Sequence, residues 1–181
     1  MTPAWPKMRP RVGHLGGIQM RVGLAVAAAV AALTLTGAAR AEDNGLLALG
    51  AGGFDFDHDH TAAEYRGEYR FGTGLWFIKP MIGAFGTSRG SVYAYGGLRG
   101  DFILFDHYVI MPNAAVGYYN RGNGKNLGSH TEFKTGVEFA YRFDNAMRVG
   151  IAFDHVSNAG ISKTNPGEEN LLLMVSVPIG W

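Results

Sequence analysis

Polar and apolar residues alternate along eight stretches of this chain, and this period of two constrains the fold more than any other feature of the sequence. Successive side chains of a β-strand point to opposite faces, so the alternation predicts strands that carry one apolar and one polar face. Gly, Asn, Asp and Ser residues, which are typical of turns, separate the stretches. The predicted strands are 45–54, 62–72, 74–85, 90–100, 107–119, 131–143, 147–157 and 169–180.

The stretch 131–143 shows the two faces most clearly. Its odd positions are mostly apolar or aromatic, and its even positions are charged or small. The odd face carries Phe133, Thr135, Val137, Phe139, Tyr141 and Phe143, and the even face carries Glu132, Lys134, Gly136, Glu138, Ala140 and Arg142. A soluble barrel or sandwich would bury the apolar face, whereas a transmembrane barrel would turn it toward lipid and fill the lumen with the charges.

Three features favour the transmembrane barrel. The strands have about ten residues or more, which is the length needed to cross a hydrocarbon layer at a tilt. Trp and Tyr lie near strand ends on the apolar face, and small residues mixed with opposite charges suit the packed lumen of a small barrel. The chain also ends on Trp181, in phase with the apolar face, which resembles the C-terminal signal of bacterial outer-membrane proteins. The predicted fold is therefore all-β, an eight-stranded antiparallel transmembrane β-barrel.

The N-terminal region indicates export. A basic start precedes an apolar stretch of about 14 residues, and Ala39-Arg40-Ala41 follows as an A-x-A cleavage site. We interpret residues 1–41 as a cleaved signal peptide, with translation starting at Met1 or Met20, and residues 42–181 as one barrel domain. An uncleaved membrane anchor is the alternative, but the apolar stretch is shorter than the roughly 20 residues of a membrane span.

Charge and cysteine content argue against a nucleic-acid-binding protein and against a disulfide-stabilised one. Five of the 16 Lys and Arg residues precede residue 42 while all 15 Asp and Glu residues follow it, so the mature chain has a net charge of −4. No basic surface remains for nucleic acid. The chain has no Cys, so an exported form lacks a disulfide framework and must be stabilised by its own packing or by a membrane.

The order of the strands predicts which connections lie on each side of the membrane. With the N-terminus in the periplasm, the outer connections are those near 54–61, 86–89, 120–130 and 158–168. The connections near 101–106 and 144–146 are then periplasmic. The outer set includes the longest and most polar segments, which is the asymmetry that such barrels show.

Three polar residues are predicted to meet on the lipid-facing side at the outer end. His155 and Ser157 are two apart in a predicted strand, so they share a face and lie about 6.6 Å apart along it. The chain turns back at 165–167, and the parity of the last strand directs Glu169 to the same face and Glu168 to the lumen. A hydroxyl, an imidazole and an acid so placed are a nucleophile, a base and the acid that orients the base. Simple solvation of the three residues in the headgroup layer is the alternative.

One segment of the sequence resembles a known family. It reads H-V-S-N-A-G from His155 to Gly160, continues with N-P-G and Glu169, and is similar to the catalytic segment of the outer-membrane lipid A 3-O-deacylases, the PagL-type family. The resemblance implies an eight-stranded barrel that removes an ester-linked acyl chain from lipid A. By the family's pattern, Ser157 is the nucleophile, His155 the base and Glu169 the orienting acid. The pattern also implies that Asn158 and Gly160 stabilise the oxyanion or orient the substrate.

The same resemblance implies a location and partners. The expected substrate is lipid A of lipopolysaccharide in the outer leaflet of the Gram-negative outer membrane, whose lipid surrounds the barrel. No metal or cofactor is expected for such ester hydrolysis, and a homodimer is one assembly left open. Two other functions also stay open. One is a non-catalytic barrel that serves as an adhesin or scaffold, and the other is a different lipid esterase or a phospholipase on the same scaffold.

Two further groups of charged residues need an interpretation. Residues 55–60 read D-F-D-H-D-H, but a loop of this composition is more often a solvated acidic stretch than a metal site, so binding of divalent cations there stays an open alternative. Lumen charges such as Glu64, Arg66, Glu138 and Arg142 are expected to form a structural ion-pair network. Asp154 shares their face and is therefore not taken as the acid of the triad.

Overall fold

The computed structural model describes residues 45–56 and 61–179, and within these residues the regular structure consists of β-strands. The strands are β1 Gly45–Phe54, β2 Ala62–Arg70, β3 Ile78–Thr87, β4 Val92–Gly100, β5 Phe102–Leu104, β6 Tyr108–Asn120, β7 Thr131–Arg142, β8 Arg148–Ser157 and β9 Glu168–Ile179. No helix in the described residues is long and apolar enough to cross a membrane. The predicted signal peptide, residues 57–60 and residues 180–181 lie outside the described part.

The strands form one closed antiparallel sheet. Neighbours pair in the order β4-β3-β2-β1-β9-β8-β7-β6, and β4 also pairs with β6, which closes the barrel. The short β5 continues the line of β4 beyond Asp101 and pairs with β6, from Phe102 opposite Ile110 to Leu104 opposite Tyr108. Since β4 and β5 together make one interrupted barrel strand, the prediction of an eight-stranded antiparallel barrel is confirmed.

The predicted strand boundaries are close to the observed ones except at the third strand and at 101–106, where the predicted connection contains β5. The alternation extends the third strand back to residue 74, whereas β3 begins at Ile78. Leu75 and Ile78 instead exchange two backbone hydrogen bonds, with N–O distances of 2.9 and 3.0 Å, around a tight turn at Trp76-Phe77. The alternation does not reveal this turn because its central residues are large and apolar, whereas Gly, Asn or Asp usually marks a two-residue turn.

The charged faces predicted from the alternation point into the barrel. Arg66 Nη2 lies 2.7 Å from Glu64 Oε1, and the same guanidinium also contacts Asp154. Arg70 Nη2 lies 2.6 Å from Glu138 Oε2. Charges buried this deeply are tolerated because they are paired, and removing one partner typically costs about 3–5 kcal/mol. The expected ion-pair network is thus present for Glu64, Arg66 and Glu138, and Asp154 belongs to it. The prediction is wrong for Arg142, whose Nη1 instead donates to the Asp106 carbonyl oxygen at 3.5 Å near the turn end.

The two ends of the barrel have different connections. At the end called here the loop end, they are 55–61, 88–91, 121–130 and 158–167, and at the turn end they are 71–77, 105–107 and 143–147. Beneath the loops, a cluster of large buried side chains fills the interior. It includes Phe54, Phe85, Tyr93, Tyr119 and Leu127. Tyr119 Oη donates to the Lys125 carbonyl oxygen at 2.9 Å, so the longest loops lie over a packed interior.

Candidate active site

Strands β8 and β9 bring two of the three predicted catalytic side chains together. His155 lies directly opposite Glu169 in the antiparallel register, and its Nδ1 is 3.1 Å from Glu169 Oε1. The two side chains are 43% and 30% exposed, so the pair lies on the outer wall of the barrel. A carboxylate in this position accepts the Nδ1 proton, which leaves Nε2 of the imidazole free to act as a base.

Ser157 lies on the same outward face, at the loop end of β8. It is opposite Phe133 of β7 and is partly exposed. Among the described residues, no hydrogen bond joins its hydroxyl to His155. Catalytic hydrogen bonds of this kind often tighten only when a substrate is bound. The structure therefore pairs His155 with Glu169 and leaves Ser157 beside them on one face.

The outer wall next to these three residues is apolar. Toward the turn end, Ile151 faces Leu173 and Phe153 faces Leu171 across the β8–β9 pair. All four side chains are exposed. Exposed apolar side chains that alternate with buried ones form the lipid-facing belt of a membrane barrel. The candidate site thus lies where this belt meets the loop end.

Gly167 shapes the site in a way that its place in the predicted turn 165–167 does not indicate. Its φ is +62°, and a Cβ built at this position would lie 2.7 Å from Cε1 of His155. A larger residue would therefore displace the imidazole ring. The N-P-G turn is the only sequence signal at this position, because the close approach to the ring depends on how the loop folds back.

Asn158 and Gly160 order the loop that follows Ser157. Asn158 is buried, and its Nδ2 donates to the carbonyl oxygens of Leu127 and Thr164, both at 2.8 Å. Its Oδ1 accepts a hydrogen bond from Gly160 N at 3.0 Å. These bonds engage both amide protons of Asn158 and the N–H of Gly160 inside the loop. The observed role of the two residues is to order the loop, and the oxyanion role implied by the resemblance stays a prediction.

A second set of contacts joins the 158–167 loop to the 121–130 loop. Ser162 Oγ donates to the carbonyl oxygen of Gly128 at 2.8 Å. Gly128 has a φ of +93°, and a Cβ there would lie 2.1 Å from the carbonyl oxygen of Thr164, so this close approach requires glycine. The residues that join the two loops are called the loop clasp. They are Leu127, Gly128, Asn158, Ser162 and Thr164.

The acids next to Glu169 and His155 point into the lumen, as their parity predicts. Glu168 is buried and accepts a hydrogen bond from Asn170 Nδ2 at 3.0 Å. Asp154 accepts one from Lys134 Nζ at 3.1 Å. Glu169 is therefore the neighbouring acid that reaches His155 on the outer wall.

The acidic stretch 55–60 is only partly described. Asp55 is buried, and its Oδ1 is 2.6 Å from Lys125 Nζ, so it pairs with the 121–130 loop. Within 45–56 and 61–179, no three His, Asp or Glu side chains are grouped as a metal site. Residues 57–60 lie outside these ranges, and cation binding there stays a hypothesis.

The chain is similar in sequence to known proteins. The family model described as "Lipid A 3-O-deacylase (PagL)" matches residues 51–178. The lipid A deacylase PagL of Pseudomonas aeruginosa is 36% identical over 59 residues, which are 33% of this chain and 34% of that protein. The aligned segment therefore spans about a third of the relative's length.

Two solved structures share the fold. The crystal structure of the outer membrane enzyme PagL superposes with a TM-score of 0.60 at 20% identity, covering 74% of this chain and 99% of that one. A structure from the de novo design of transmembrane β-barrels superposes with a TM-score of 0.55 at 7% identity, covering 76% and 96%. At these identities the likeness shows the barrel fold, while the family follows from the sequence model, which spans more than half of the chain. This outer-membrane β-barrel belongs to the lipid A 3-O-deacylase (PagL) family.

Proposed function

We propose that this chain hydrolyses the ester-linked 3-hydroxyacyl chain at position 3 of lipid A. The observation that carries the proposal is the hydrogen bond between His155 Nδ1 and Glu169 Oε1 on a lipid-facing wall, with Ser157 on the same face. A scaffold or adhesin gains nothing from an ionisable pair on this wall, since such groups are costly next to lipid. Membership of the family supports the same activity.

In the proposed reaction Ser157 supplies the nucleophile. Nε2 of His155 accepts the Ser157 proton as Oγ bonds to the ester carbonyl carbon, and Glu169 stabilises the imidazolium that forms. When the tetrahedral intermediate collapses, the imidazolium gives this proton to the oxygen of the departing sugar hydroxyl. His155 then deprotonates a water molecule whose oxygen bonds to the acyl carbon. The acyl–Ser157 bond breaks as the imidazolium returns the proton to Ser157 Oγ, which releases the 3-hydroxy fatty acid and restores the enzyme.

The position of the three residues supports an ester near the bilayer surface as the substrate. Exposed apolar side chains extend from the site toward the turn end and suit acyl chains, while polar loops extend the other way. With the loop end outside the cell, an ester just below the sugar headgroup of an outer-leaflet glycolipid reaches Ser157 from the side. The lumen offers no comparable route, because buried aromatic rings fill it beneath the loops.

In this proposal Asn158 and Gly160 orient the substrate indirectly. Their hydrogen bonds hold the 158–167 loop in one conformation beside Ser157. A loop held in this way can present N–H groups to the oxyanion of the tetrahedral intermediate without reorganising during the reaction. Losing one oxyanion donor typically lowers the rate by about 10²–10³-fold.

The direct test is mass spectrometry of lipid A from Gram-negative cells that express this chain. We expect the wild type to remove one 3-hydroxyacyl unit and Ser157→Ala to remove none. Lys163→Ala, an exposed change in the same loop, is the matched control and should act like the wild type. Heat-modifiable gel migration shows whether each barrel is folded. Unchanged lipid A with a folded wild-type barrel would contradict the proposal, and fatty acid released from phospholipid would instead identify a phospholipase.

A further inference from the structure

Large apolar side chains are exposed at the turn end of the barrel, around two neighbouring turns. They form what is called here the turn-end patch, made of Leu75, Trp76, Phe77, Phe102, Ile103, Leu104 and Phe105. Trp76 and Phe105, at the tips of the two turns, are 86% and 87% exposed. All three side chains of β5 are exposed. Because successive side chains of a strand point to opposite faces, neither face of β5 is buried against the rest of the protein. A contiguous apolar surface of this kind marks a site of contact with a partner or a membrane.

The patch is one surface, and it continues the lipid-facing belt. Asp101 N donates to the Phe77 carbonyl oxygen at 2.9 Å, and the ring centroids of Phe77 and Phe102 are 4.8 Å apart, so the two turns touch. Toward the loop end the patch runs into Ile78 of β3 and Leu98 of β4, which are exposed on the barrel wall. Because lipid covers that wall, continuity identifies lipid as the occupant of the patch as well.

The backbone directs the two tip residues outward at a conformational cost. Trp76 has a φ of +56° and Phe105 a φ of +51°. A bulky residue is strained at positive φ, and tight hairpin turns usually place Gly, Asn or Asp there. Both the strain and the exposure of a ring to water oppose this arrangement at an aqueous surface. An apolar phase around the turns removes the second cost.

The third turn at the same end has a different character. The tip of the 143–147 turn is Asp144-Asn145, which is polar and exposed. Within the described residues, the turn tips that carry a large, highly exposed apolar side chain are those beside β3 and β5, and at the second of these Phe105 is followed by the exposed Asp106. In the closed order of eight barrel strands, β3 and β4 lie four positions from β8 and β9, which is the opposite side of the barrel.

We propose that the turn-end patch is a lipid anchor, immersed in the bilayer leaflet on the turn-end side. Its occupants are the acyl chains of that leaflet and their border with the headgroups, where aromatic side chains are favoured. The anchor lies across the barrel from β8 and β9, the strands that carry the His155–Ser157 face.

Site-directed spin labelling tests the anchor, because the chain has no Cys of its own. Single nitroxides are attached through Trp76→Cys, Phe105→Cys and the matched control Asp144→Cys, in protein folded into phosphatidylethanolamine–phosphatidylglycerol vesicles. We expect dissolved oxygen to relax the labels at 76 and 105 more strongly than a water-soluble nickel chelate does, and the reverse at 144. All three positions are exposed, so the labels do not disturb the packed interior.

Two results would overturn the anchor. One is water accessibility at 76 and 105 equal to that at 144. The other is dipolar broadening between labels on neighbouring molecules, which would identify a second copy of the chain as the occupant. None of these measurements uses enzymatic activity, so their failure is distinct from failure of the proposed function.

Discussion

At the loop end of the barrel the connections bind one another, whereas at the turn end the largest side chains of two turns face away from the protein. Asn158 and Leu127 of the loop clasp are fully buried. Trp76 and Phe105 at the opposite end have more than four fifths of their surface exposed. Long connections are usually held by fewer contacts than short ones. Here the longer connections, at the loop end, make more contacts with one another than the turns do.

The difference follows from the surroundings of each end. A long polar loop next to water gains order only from its own hydrogen bonds, and a site that needs fixed geometry must therefore build them. A short turn at the edge of the hydrocarbon layer is already held by its hairpin. Its side chains are not needed to order the turn, so they can be apolar and contact the lipid.

The largest effect is expected from Glu169→Gln, which removes the carboxylate from His155 Nδ1 on the loop-end wall. The rate of 3-hydroxy fatty acid release from lipid A in mixed micelles should fall by about 10³–10⁴-fold, because an amide supports neither the required tautomer nor the imidazolium. Glu168→Gln, its neighbour on the lumen face, is the control and should retain the wild-type rate. Equal losses in the two variants would contradict the assignment of Glu169.

A smaller loss is expected from Gly167→Ala. Its Cβ would approach His155 Cε1 to 2.7 Å, so the ring must move, and misplacement of a catalytic group by about 1 Å lowers rates up to about 10²-fold. Gly160→Ala is the matched comparison in the same loop, since it also has a positive φ of +78° but its Cβ would meet nothing within 4 Å. If both variants lose the same activity, backbone strain rather than contact with the ring explains the effect.

Asn158→Ala should loosen the loop clasp without unfolding the barrel. The carbonyl oxygens of Leu127 and Thr164 lose their donor, which typically costs about 1–3 kcal/mol of local stability. Hydrogen exchange should therefore accelerate in the 121–130 and 158–167 loops.

The counterpart at the turn end is Asn145→Ala. It removes the acceptor that Asn145 Oδ1 provides to Met147 N at 3.1 Å, but that side chain is exposed. Exchange should change only within 143–147. Unchanged exchange in both loops of the Asn158→Ala protein would show that the clasp does not order them.

The smallest effect is expected from Phe105→Ser at the turn end. In detergent, the free energy of unfolding should change by less than about 0.5 kcal/mol, since an exposed side chain makes few contacts. Deacylation of micellar lipid A should stay at the wild-type rate, because the residue lies far from β8 and β9. Urea denaturation and the micelle assay measure the two quantities. A large loss of activity in micelles would mean that the two ends are coupled through the barrel itself.

Much of the fold and of the candidate site follows from strand parity. The lumen-facing charges, the outward face of His155 and Ser157, and the pairing of Glu169 rather than Glu168 with His155 are all predictable, because side chains alternate with a period of two. The third strand shows the limit of this argument. The apolar pattern continues through Leu75 to Ile78, so alternation alone extends a strand across a turn.

Strand parity and motif spacing are thus enough to predict the architecture, the faces of its strands and the composition of the candidate triad. The loop clasp, the close approach of Gly167 to the imidazole and the contact of two turns in the turn-end patch are visible only in the folded protein. These features rest on contacts between residues distant along the chain, such as Asn158 and Leu127, which are 31 residues apart. Local periodicity carries no information about such contacts, because they form only when barrel closure brings the loops and turns of neighbouring hairpins together.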